Sequence, residues 1–243
     1  MTTEYLIIIL VIGVFSVIQS IFGMGVLVFG TPTLLLMGHD FITTLGYLLP
    51  ASFAISLLQV LTVGSKRVPI SRYLYLICLP GIGVGLWFTD TSSLTSWTNK
   101  LVGGTLLLSA LVRFQSPSKS MTAVLLERYL PIYHLVMGVT HGLTNLGGAL
   151  LALLASGKNE EKEAIRYTIA HYYLAFSSIQ MILLATTMGH YDMLLSNFST
   201  CIVAAIIYLF VGNKIFKSSN NQYYNSALTL FIAAYGIAIL LRL

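Results

Sequence analysis

The first apolar stretch of this chain is too long to be a single straight membrane helix. Residues 5–38 hold 34 positions without one charged side chain. As one helix they would run ~51 Å, against ~30 Å of hydrocarbon. Residues 129–157 pose the same difficulty at ~43 Å. Such a segment must tilt severely, project from the bilayer or break. The glycines mark the breaks: Gly23-Met24-Gly25 in the first segment, Gly142 together with Gly147-Gly148 in the second. A segment broken there is expected to form two short half-helices that enter and return, adding no net crossing.

The two segments are also copies. Phe22–Gly38 reads FGMGVLVFGTPTLLLMG and His141–Gly157 reads HGLTNLGGALLALLASG, 119 residues further on. Gly23 falls on Gly142 and Gly38 on Gly157. The next crossing repeats too, with Ala54, Ser56 and Gln59 matched by Ala175, Ser177 and Gln180 at a spacing of 121. Paired, glycine-interrupted apolar segments in two halves of a membrane chain point to a transporter's binding site.

Composition sets the class. Of 243 residues 56% are hydrophobic and 9% charged. The apolar runs are Tyr5–Met37, Thr43–Val63, Tyr73–Phe88, Leu101–Val112, Tyr129–Ala155, Ile165–Met188, Tyr191–Val211 and Tyr223–Leu241. The ~10-residue alternating segments of a membrane β-barrel do not occur, so the fold class is an all-α integral membrane protein. The start, MTTEYLIIIL, lacks the basic region and cleavage site of a secretory signal and is expected to be retained. A net charge of +5 does not point to nucleic acid, because the basic residues lie beside membrane spans, where the positive-inside bias accounts for them. Cys78 and Cys201 stand alone in apolar runs, which disfavours a disulfide framework or a metal site. No cofactor is expected.

Charge placement predicts the topology. If both copies return to the side they came from, Lys66, Arg67, Arg72, Arg113, Lys119, Arg128, Lys158, Lys162, Arg166, Lys214 and Lys217 face the cytoplasm. Only Lys100 and Arg242 remain outside, a split of 11 to 2 among the 13 Lys and Arg. If each copy crosses once, the split is 7 to 6. The first arrangement follows the bias. It predicts an inverted repeat, each half a broken-helix hairpin plus three transmembrane helices, with both termini outside. The halves are 1–112 and 129–243, joined by a basic cytoplasmic linker at 113–128.

The chain resembles the sulfite exporter TauE/SafE family of membrane permeases. The resemblance is carried by Gly23–Pro32 (GMGVLVFGTP) with Leu34–Gly38, and by Gly142–Leu150 (GLTNLGGAL). Pro80–Gly85 (PGIGVG) and the closing run Tyr223–Leu241 support it. It spans essentially the whole chain. Where the family pattern usually has a proline after the second Gly-Gly pair, this chain has Ala149. The resemblance implies movement of small anions, typically sulfite and organosulfonates, across the bacterial inner membrane.

The residues suggest how an anion could be held without buried cations. Broken helices offer free backbone N–H groups and the positive end of the helix dipole. Thr31-Pro32 reads as an N-cap followed by a proline at the first helical position. In the second copy Thr144, Asn145, Gly147 and Gly148 offer a hydroxyl, an amide and unobstructed backbone donors. The expected site joins Gly23, Gly25, Thr31, Thr144, Asn145, Gly147 and Gly148, although glycines at these points could equally serve close helix packing. Gln59 and Gln180 could hydrogen-bond a substrate oxygen or hold two helices together. His141 could contact the anion or carry a coupling proton, and His171 could carry the proton; each could instead be a neutral histidine bonded to a neighbouring helix. His134 reads as interfacial; His39-Asp40 and His190-Tyr191-Asp192 read as solvated turns. Gly81 and Gly85 form a GxxxG, the mark of close helix contact. Glu160–Glu163 reads as a solvated helix start.

These features together predict a secondary transporter, an exporter of small anions, working by alternating access. The alternatives are a carrier or channel for small carboxylates and, further off, a membrane assembly partner. No Walker motif, HExxH or paired acid lies in the spans, so an enzyme is not expected. The expected partners are the anion, the lipid bilayer and a second copy in a possible homodimer.

Overall fold

The computed structural model describes residues 3–63, 67–91, 128–224, 226–227 and 230. Helix α1 is Thr3–Phe22, α2 Val26–Leu36 and α3 Phe41–Thr62. Helix α4 opens with a π-helical turn, Leu74–Cys78, and continues as Leu79–Thr91. Then come α5 (Leu130–Thr144), α6 (Gly147–Lys158), α7 (Lys162–Thr186) and the short α8 (Tyr191–Ser196). Helix α9 (Ser199–Ile207) passes through a second π turn, Tyr208–Gly212, into α10 (Asn213–Ser218). Four helical stretches among the described residues are long and apolar enough to cross a membrane: Thr3–Phe22, Phe41–Thr62, Lys162–Thr186 and Ser199–Ser218. The predicted run Leu101–Val112, most of the linker and most of Tyr223–Leu241 lie outside the described residues.

The chain gathers into two compact units, Met1–Ser65 with Ala170–Ser219, and Lys66–Ile169 with Asn220–Leu243. In the first, α1 and α2 form a hairpin. The rings of Phe15 and Phe29 lie 6.0 Å apart, and the two ends meet where Glu4 Oε1 stands 3.8 Å from His39 Nε2. The turn needs glycine: Gly23 has φ 81°, and a Cβ on Gly25 would stand 2.5 Å from the backbone nitrogen of Gln19. The arms are not the two short half-helices expected. With 20 residues, α1 is ~30 Å long and could cross the bilayer by itself, whereas the 11 residues of α2 reach little more than half as far. A glycine pair breaks the segment only at its own position, and the residues before it hold the full length of a span. Helices α3 and α9 pack on this hairpin.

In the second unit α5 and α6 form the corresponding hairpin. The Tyr133 hydroxyl donates to the Leu150 carbonyl across it, 2.6 Å. Helix α4 lies along α5 with almost no side chain between the two. A Cβ on Gly85 would stand 2.5 Å from the Val139 carbonyl oxygen, and one on Gly138 or Gly142 would run into the carbonyls of Cys78 or Ile82. Gly81 and Gly85 thus do what their spacing predicts, and Gly138 and Gly142 answer them one helix away. Gly142 was expected at the break. It lies inside α5 instead, because a glycine pressed against a neighbouring backbone stays helical when its own i→i−4 bonds are kept.

Candidate functional site

At the first tip α1 ends at Phe22 and α2 starts at Val26. A hydrogen-bonded side-chain cluster spans the gap. Gln19 Nε2 donates to the Ser52 carbonyl (3.1 Å), to Ser52 Oγ (3.0 Å) and to Ser56 Oγ (3.1 Å), while its Oε1 accepts from the Val26 N–H at 3.0 Å. Gln59 Nε2 donates to the carbonyls of Gln19 and Ser20, 2.9 and 3.1 Å. Two carbonyls of α1's last turn, where the helix dipole is negative, are thus covered from α3. Phe29 is the residue whose N–H reaches back to Gly25, 2.9 Å. Leu27 and Val28 fall between Val26 and Phe29, and helix geometry gives their N–H groups no intrahelical carbonyl.

The second tip repeats this with different residues. Asn145 closes α5 in the left-handed region, φ 63°, its N–H on the His141 carbonyl at 2.7 Å. Thr144 Oγ1 donates back to the Thr140 carbonyl and accepts the N–H of Leu146, 3.2 Å. The Ala149 N–H reaches the Leu146 carbonyl, 3.3 Å. Gly147 and Gly148 stand between these two as the first two residues of α6, in the same first turn from which Leu27 and Val28, the second and third residues of α2, present their N–H groups. A Cβ on Gly147 would meet the His141 Cβ at 2.7 Å and the Met137 carbonyl oxygen at 2.9 Å.

The predicted residues therefore sort by place. Gly23, Gly25 and Gln59 meet at the first tip; His141, Thr144, Asn145, Gly147 and Gly148 meet at the second. Gln180 is buried and His171 half-buried on α7, in the part counted with the first unit. Thr31 is not an N-cap and Pro32 does not open a helix: both lie buried inside α2, which starts at Val26 with Gly25 as its cap. A proline after a threonine points to a helix start, but a membrane helix tolerates an interior proline where neighbouring groups supply new partners to the backbone it frees. Gln19, Ser52 and Ser56 were missed. Their signal was available, since Ser52, Ser56 and Gln59 lie four and three apart on one face of α3, and Gln19 is an amide inside an apolar run.

In each unit the Lys and Arg residues named below gather at one end. In the first, Lys214 and Lys217 sit on α10 just past Gly212, whose Cα side faces Ser20 near the tip. Glu4, His39, Asp40 and Asp192 lie at the other end, where the hairpin opens. In the second, Arg72, Arg128, Lys158 and Lys162 lie where the hairpin opens, beside Tyr73, Tyr129 and His134. Its tip is at the far end, where the Thr89 hydroxyl is 3.5 Å from the Leu143 carbonyl.

The model of the family described as sulfite exporter TauE/SafE matches residues 7–239. No curated protein and no solved structure matches the chain.

Proposed function

The chain belongs to the sulfite exporter TauE/SafE family of membrane transporters, and from that premise we propose that it carries small anions, sulfite or organosulfonates, outward across a bacterial inner membrane by alternating access. The anion is received at the hairpin tips by backbone N–H groups. The observation that carries this reading is the pair of first-turn donors on each broken helix, Leu27 with Val28 and Gly147 with Gly148. Two N–H groups side by side at the positive end of a helix suit an oxyanion and leave it mobile enough to depart.

The inverted repeat is part of the same proposal. Its support is the placement of Lys and Arg: the first hairpin points its tip toward the basic residues of its unit, and the second points its tip away from those of its own. If basic ends face the cytoplasm, the two hairpins run in opposite senses and the N-terminus is outside.

The test is flux from proteoliposomes loaded with sulfite, thiosulfate, sulfoacetate or acetate. Saturable, gradient-dependent release of the sulfur oxyanions is expected; linear release would indicate a channel, and preference for acetate a carboxylate carrier. Gly148→Pro deletes one N–H at a point in the first turn where proline is tolerated, and Gly148→Ala keeps it. A hydrogen bond to a charged ligand contributes ~1.5–3 kcal/mol, so the proline variant should weaken apparent anion affinity about 10- to 100-fold relative to the alanine variant. Equal affinities would exclude the second tip as the receptor.

A further inference from the structure

Gln59 is 2% exposed at the first tip, and half of its amide is used. Its Nε2 serves two carbonyls; its Oε1 is buried, and no donor among the described residues reaches it. The amide cannot be reversed to cure this, because Oε1 would then face the carbonyl oxygens of Gln19 and Ser20. A buried acceptor without a donor is disfavoured, so this position asks for a ligand that brings a proton. Gln19 links it to the helix start: its carbonyl takes Gln59 Nε2, and its own Oε1 takes the Val26 N–H. The lone acceptor and the N-terminus of α2 thus share one residue between them.

We propose that the first tip binds its anion in the singly charged, protonated form, with oxygens accepting from the N–H groups of Leu27 and Val28 and the anion's own O–H donating to Gln59 Oε1. This rests on the anion reading of the tips given above. Within that reading the ligand is hydrogen sulfite in its O-protonated form. The sulfite dianion would set a charged oxygen against Gln59 Oε1 with nothing to donate. The carried species then brings its own proton, and one negative charge moves per cycle.

The experiment compares sulfite with methanesulfinate, in which a methyl group replaces the hydroxyl of hydrogen sulfite and which does not titrate near neutral pH. Initial rates are measured with the full chain in proteoliposomes over the pH range in which hydrogen sulfite loses its proton. The KM for total sulfite should rise about tenfold per pH unit above that point, with kcat unchanged. The KM for methanesulfinate should stay flat and lie about tenfold or more above that for hydrogen sulfite. In Gln59→Leu the two KM values should converge, with thermal unfolding in detergent reporting whether the variant is folded; the wild-type comparison stands without it. A sulfite KM that is flat or falls with pH overturns the inference while leaving sulfite transport intact. So does methanesulfinate carried as well as sulfite, or with a KM that shifts in parallel, or a folded Gln59→Leu that discriminates as before. Flux of neither anion removes the transport reading itself, and this inference with it.

Discussion

Asn145 shows how much one backbone angle can decide. At φ 63° it ends α5, and asparagine accepts that region where a branched or long apolar residue does not. Asn145→Gly should unfold in detergent within a few tenths of a kcal/mol of wild type. Asn145→Leu should lose about 1–2 kcal/mol from the left-handed conformation alone. A transport loss in the glycine variant would then report the side-chain amide and not the turn. Asp40 is a second single-residue device. Partial burial pushes its carboxyl up, but hydrogen bonds from the Thr43 side chain and from the backbone of Thr43, Asp40 and Ile42 outweigh this and hold it below the ordinary carboxylate range. It caps α3 through the Thr43 N–H at 2.9 Å. A carboxyl depressed in the folded state stabilises above its unfolded value and ceases to do so as pH falls through its folded value. Asp40→Ala should therefore cost on the order of 1 kcal/mol at neutral pH, and the difference in melting temperature should shrink in acid, where only the neutral carboxyl's hydrogen bond to the Thr43 N–H remains.

Among the elements, the α4–α5 pair is where packing leaves least room. Gly85→Ala puts a Cβ 2.5 Å from the Val139 carbonyl oxygen, a backbone atom that cannot turn aside. Forcing the helices apart should cost about 1–3 kcal/mol in thermal unfolding, while Val84→Ala, on the exposed side of the same turn, should stay within about 0.5 kcal/mol. The GxxxG of α4 was legible because its spacing alone puts both glycines on one helix face. Its partners on α5 were not: Gly142 read as a break because a glycine in a repeat looks the same whether it turns the chain or admits a neighbour. Thr31-Pro32 misled for a related reason. Capping preferences describe helix ends open to water, and α2 begins instead under a glutamine reaching across from α1.

For the molecule as a whole, the proposed sidedness can be read by labelling. In a background without Cys78 and Cys201, Asp192→Cys should react with an impermeant thiol reagent added outside intact cells. Arg72→Cys and Lys217→Cys should react only after the membrane is opened. All three positions are exposed. Labelling of Lys217→Cys from outside would contradict the inverted arrangement. The helical membrane class and the two breaks were readable from the sequence, and so was the family, now shown over residues 7–239.

What the sequence determined by itself is local in origin. A span's apolar length, the weak points that glycine introduces and the duplication of a segment are properties of neighbours along the chain. Which donors and acceptors remain open at the tips was decided only by tertiary structure. Gln59 reaches α1 from 40 residues away and Gln19 reaches Ser52 from 33. Whether a helix end is capped or left to receive a ligand depends on side chains that only folding brings within hydrogen-bonding distance.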